Sequence, residues 1–391
     1  MFDCAVCDVG GKEKFIVAAE YAWSLETLKI TIAEASDIPY GEVCLIVGDA
    51  VCVDYRSSLE SLFVCRDDAT VFLVHAKTIF NNTTLKVAVK LWLENKDNAL
   101  QLYGPLSYWD VSAVTDMSYL FHGASNFNEP VATWNTANVA DMSGMFCGAS
   151  SFNQSVATWN TANVTSMDHM FYGASSFDQP VDAWDMRNVK YMTCMFSGSS
   201  SFNQPVAAWN TANVTLMSGM FQGAACFNQP VATWNTSNVT DMSCMFECTS
   251  RFNQPVASWF TGNVTTMMRM FEGARSFNQP VDAWNTANVT DMNHMFYGAV
   301  SFNQPVAAWN TANVADMSGM FQSAVKFDQP VAAWDTANVT TMSRMFEDAS
   351  SFNQSVADWN TVNVTDMFRM FEGASSYNQS LASSNTFIDR P

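Results

Sequence analysis

The chain has 391 residues, 48% hydrophobic and 14% charged, with 29 Phe and a net charge of −19. That apolar content excludes a disordered chain, and the negative balance excludes condensation on phosphate backbones or bare anionic lipid. The charge divides unevenly: 9 Lys and Arg stand against 15 Asp and Glu before residue 109, and 9 against 22 after it.

Residues 1–78 form the first expected domain. MFDCAVCDVGGKEKF has no basic stretch leading into an apolar one, so no export signal is read there. Cys4-x-x-Cys7 has no second ligand pair after it and is not read as a zinc site. KEKFIVA reads as a strand, SLETLKITIAEASD as an amphipathic helix capped by Ser24, and EVCLIVG, AVCVD and TVFLVHA as further strands. Asp37-Ile38-Pro39, Cys44-Leu45-Ile46-Val47-Gly48 and Leu59–Leu62 follow Leu28-Lys29 and Ile32 in the order in which ubiquitin-like domains place them. The segment therefore resembles that family. The resemblance implies a β-grasp fold and places Ile46 and Val74 where the family has two members of its binding patch. His75-Ala76-Lys77-Thr78 replaces the diglycine tail, which rules out conjugation.

Residues 79–108 read as a helical cap. Asn82 to Thr84 offer N-caps, and Leu85, Ala88, Val89 and Trp92 share one helix face while Lys86, Lys90 and Lys96 stay in water. Such a helix covers the apolar interior that the first coil of a stacked array leaves open.

Residues 109–391 carry a repeat. Trp109 to Trp359 recur every 25 residues without a slip, which predicts about eleven stacked coils. Val114 to Val364, Met117 to Met367, Phe121 to Phe371 and Phe127 to Phe352 form apolar columns, and Asn138 to Asn363 an expected amide ladder. The Asn-Val-Thr triplets are read as structural rather than as glycosylation acceptors. Cysteines that fall singly at different coil positions read as reduced thiols. WNTANVTDMSGMF-x-GA-x-SFNQPV resembles the repeat of the BspA-like leucine-rich-repeat surface proteins, also known from Mycoplasma lipoproteins. That resemblance implies a leucine-rich-repeat-like solenoid with a short strand at Asn-Val-Thr, a helical turn at Met-Ser-x-Met-Phe, and a role in adhesion or protein–protein interaction. The expected class is α+β, a β-grasp domain followed by the solenoid.

No catalytic arrangement is visible, and neither a cofactor nor a metal is expected. His169 and His294 lie five coils apart, about 24 Å at the strand spacing, and the Asp column from Asp116 to Asp366 is too interrupted for calcium. Two coil positions three residues apart change identity: His169/Tyr172, Cys194/Ser197, Arg269/Glu272, His294/Tyr297, Arg344/Glu347 and Arg369/Glu372. They are read as solvent-facing, either as i,i+3 ion pairs or as the residues that encode recognition. The expected function is a non-catalytic scaffold or adaptor binding other proteins, cytoplasmic, without nucleic acid or membrane insertion. The alternatives are cell-surface adhesion, and ice or carbohydrate binding by the stripe from Thr136 to Thr361. The last coil has no covering helix, which predicts a weak end and end-to-end self-association.

Overall fold

The computed structural model of the chain describes five strands between Phe2 and Ala76 and then residues 79–379. Two compact units result, one of residues 1–115 with 129–138 and one of residues 116–128 with 139–391. The division falls inside the first coils rather than at residue 109, because the cap packs on part of them.

In the first unit, β1 (Phe2–Cys7), β2 (Glu13–Ala19), β3 (Val43–Val47), β4 (Ala50–Val51) and β5 (Phe72–Ala76) form one sheet in the order β2-β1-β5-β3-β4. β1 runs parallel to β5 and antiparallel to β2, while β3 is antiparallel to both β4 and β5. β1 was not expected from the sequence. The helix expected at residues 24–37, the Ile-Pro turn and Leu59–Leu62 lie outside the described residues. Ile46 pairs with Leu73 and Leu45 with Val74, which places Ile46 and Val74 at positions of opposite parity in the β3–β5 ladder.

The cap contains α1 (Asn82–Glu94) and α2 (Lys96–Tyr103). Asn81, one residue before the expected caps, closes a capping box: its Oδ1 accepts from the Thr83 and Thr84 N–H groups while Thr84 Oγ1 accepts from the Asn81 N–H. Leu85, Ala88, Val89 and Trp92 are buried, as their spacing requires. Phe80, Trp92 and Tyr103 surround the Trp109 indole at centroid distances of 4.9, 5.8 and 5.8 Å. Trp109 Nε1 donates to the Gly104 carbonyl at 3.0 Å, so its one polar atom is satisfied in the cage.

In the second unit each coil joins the next through one parallel bridge in the column Asp116, Asp141, Ser166 and onward to Asp366. The bridge falls one residue beyond Asn-Val-Thr. The expected helical turn is instead a run of tight turns. Met167, His169, Phe171 and Gly173 donate N–H groups to carbonyls of the following coil, at Tyr191, Thr193, Met195 and Ser197 (2.7–2.9 Å). Met170, Tyr172 and Ala174 donate three residues back within their own coil. Alternating targets satisfy every donor in the run, and they require φ near +57° at His169 and +67° at Gly173.

Val, Met and Phe columns fill the interior. Phe171 lies 3.9 Å from Phe177 in its own coil and 5.5 Å from Phe196 in the next, all nearly parallel. Each such side chain contributes roughly 1.5–3 kcal/mol by leaving water. Polar ladders lock the coils in register. Asn213 Nδ2 donates to the Arg187 carbonyl (2.6 Å) and Trp209 Nε1 to that of Val181 (2.9 Å). Asn203 Oδ1 accepts from the Asn228 N–H and from Gln229 Nε2. Thr136 and its equivalents through Thr336, with Met186 standing in the same column, are about 1% exposed, and the Thr211 hydroxyl donates to the Asn235 carbonyl. The stripe proposed for ordering water is thus an internal ladder, which overturns that route to ice or carbohydrate binding. At the last described coil the order loosens: Val364 is half-buried where its equivalents are fully buried, and Val362 is 79% exposed.

Candidate protein-docking face

The two variable positions lie on the run of tight turns. The first is the left-handed one: Tyr119, His169, Cys194, Cys244, Arg269, His294, Arg344 and Arg369 all have φ between +52° and +57°, and Gly144, Gly219 and Gly319 occupy the same place in the remaining coils. A non-glycine residue there costs on the order of 1 kcal/mol. The column is therefore not simply an outer surface free to vary, since glycine would serve the backbone better at each of these coils.

The glycines have their own role. A Cβ at Gly319 would lie 2.6 Å from His294 Nε2, and one at Gly219 2.8 Å from Cys194 Sγ. Side chains of this column lean over the following coil, and glycine makes the seat. His294 Nδ1 faces Asn293 Oδ1 at 2.5 Å, which fixes the tautomer with the proton on Nδ1. Burial, then the Arg269 and Arg344 charges, push the His294 pKa below its ordinary value.

Of the expected pairs, Arg269–Glu272 (3.7 Å), Arg344–Glu347 (3.3 Å) and Arg369–Glu372 (2.9 Å) form i,i+3 ion pairs. The aromatic pairs His169–Tyr172 and His294–Tyr297 bring their rings to 5.8 and 5.6 Å. His169 and Tyr172 stand alone, five coils from His294. Arg269, Glu272, His294, Tyr297 and Arg344, by contrast, converge on an open concavity of about 640 Å³. Small side chains line it as well, among them Ser318, whose hydroxyl meets Thr341 Oγ1 at 2.8 Å. Burial and the neighbouring Glu247 carboxylate raise the Glu272 pKa.

One element escaped the sequence reading. Phe368 replaces the small or polar residue of most coils and is 51% exposed. Arg344 and Arg369 flank its ring at 5.6 and 5.0 Å. Both guanidinium groups reach Glu347, at 3.3 and 3.7 Å, and Gln322 Nε2 donates to the same carboxylate at 2.8 Å. The Glu347 side chain is only 9% exposed, so it holds both arginines from beneath. A break in the period at residue 368 was the available signal.

Among the described residues no three His, Cys, Asp or Glu side chains gather as metal ligands. No described helix is long and apolar enough to cross a membrane. The five coil cysteines are free thiols, and burial with the adjacent Glu247 pushes Cys244 up to about 12.

No curated protein matches the chain. Residues 93–209, 195–309 and 276–384 each match the family described as "Mycoplasma protein of unknown function, DUF285". These three tandem matches run over most of the chain, which is therefore a repeat protein belonging to that family.

Proposed function

We propose that the chain is a non-catalytic scaffold that docks another protein on the left-handed face of its coils. The observation that carries this reading is the Arg344–Phe368–Arg369 cluster, an exposed aromatic ring clamped between two guanidinium groups that a buried carboxylate holds in place. Aromatic and Arg side chains dominate binding energy at protein interfaces, and fixing them beforehand reduces the entropy lost on association. The finer resemblances belong to the same reading. One parallel bridge per coil followed by tight turns supports a leucine-rich-repeat-like solenoid of the BspA-like type. The strand order with β1 parallel to β5 supports a β-grasp, ubiquitin-like domain as a second recognition module.

The test is affinity capture by the whole chain and by F368S, which installs the residue most common at that place in other coils. Y191T removes a comparably exposed ring elsewhere and serves as the control. A protein retained by the parent chain and by Y191T but lost on F368S supports the reading. Equal retention by all three, or retention by none, contradicts it.

A further inference from the structure

We propose that the concavity lined by Arg269, Glu272, His294, Tyr297 and Arg344 binds a neutral saccharide. This goes beyond the docking reading: the concavity shares Arg344 with the Phe368 cluster, but Phe368 itself does not line it.

The lining decides the chemistry. Two guanidinium groups, Arg269 and Arg344, stand against three carboxylates, Glu272, Asp316 and Asp366, and the remainder are amides, hydroxyls and the His294 and Tyr297 rings. No aliphatic side chain is present. Pockets for drug-like ligands are mostly apolar, and a protein anchor needs an apolar seat, so neither class fits. The near balance of charge, with donors and acceptors interleaved, selects neither a strongly anionic nor a strongly cationic ligand. A polyhydroxylated neutral ring does fit, because each hydroxyl both donates to a carboxylate and accepts from a guanidinium. The two aromatic rings, edge to face at 5.6 Å, offer apolar surface for the C–H face of a pyranose.

Glu272 is held in the lining by its ion pair with Arg269, whose Nε lies 3.7 Å from the buried Oε2.

The test is calorimetric titration of the whole chain with maltohexaose, laminarihexaose, cellohexaose and N-acetylchitohexaose, alongside the acidic hexagalacturonate and the cationic chitosan hexamer. S343F fills the concavity at a coil position where Phe368 shows that a large ring is tolerated, and S243F makes the same change four coils earlier. A neutral oligosaccharide is expected to bind more tightly than either charged one. S343F should weaken it about tenfold or more, a change calorimetry resolves, while S243F leaves it unchanged. Failure of every neutral probe, preference for a charged probe, or equal binding by S343F and S243F would overturn the proposal.

Discussion

The buried Phe column and the left-handed column run through the same coils and obey opposite rules. At Phe146, Phe171, Phe196 and onward to Phe371 the residue never changes and each ring is fully buried. At the left-handed column tyrosine, histidine, cysteine, arginine and glycine succeed one another although glycine suits the backbone best. Interior packing tolerates one solution because each ring contacts the equivalent ring of the adjoining coil. The left-handed column holds residues that the fold does not ask for, and the proposed docking role rests on that difference.

The sharpest way to break the comparison is to damage each column in turn. F246A removes a ring stacked on Phe221, Phe252 and Phe271. It should cost about 3–5 kcal/mol, read from chemical denaturation, and a loss below about 1 kcal/mol would place the stacking energy elsewhere. G319A introduces a Cβ at φ +59° and against His294, for an expected loss of roughly 1–2 kcal/mol. In an H294G background the clash disappears and only the backbone strain remains. A double-mutant cycle should therefore show coupling, and additive losses would mean that His294 does not rest on that seat.

Smaller effects refine the ladders and the charges. N238A removes the amide bond to the Ala212 carbonyl and should cost about 1 kcal/mol in denaturant unfolding. An unchanged midpoint would show the ladder to be ornamental to stability. The smallest expected effect is His294's. Its folded pKa lies below the unfolded value of 6.5, so the unfolded chain binds more protons between the two values. Stability from this group is complete above the unfolded pKa and falls as pH drops through 6.5 toward the folded pKa. Thermal unfolding of H294N should be less sensitive to pH across that window than the parent chain's, and identical profiles would contradict the assignment.

Much of this was legible in the sequence because the period never slips. Trp, Phe, Met and Val at fixed spacing announced the interior, and the Asn138–Asn363 column announced its ladder. The left-handed turn is hidden in the sequence because identity variation reads equally well as exposure; Gly144, Gly219 and Gly319 in the same column carry the signal for positive φ. Periodicity also does not separate inside from outside for Thr, which is small enough and polar enough for either, so the column from Thr136 to Thr336 was misplaced. For Ile46 and Val74 strand register decides: a shift of one residue reverses the face, and a resemblance between sequences does not fix that parity. The concavity arises from side chains three coils apart, from Arg269 to Arg344, whose relation only stacking reveals.

The most direct test of the central claim replaces every non-glycine residue of the left-handed column, from Tyr119 to Arg369, with glycine. Glu272, Glu347 and Glu372 are changed in the same chain to the Gln that stands at the equivalent positions 222 and 322, so that no carboxylate is left without its arginine. Thermal unfolding and protein capture are then measured together. A column kept for recognition predicts an unfolding midpoint no lower than the parent's, since the backbone strain is relieved, with capture lost. A lowered midpoint, or capture that survives the substitution, would contradict the account.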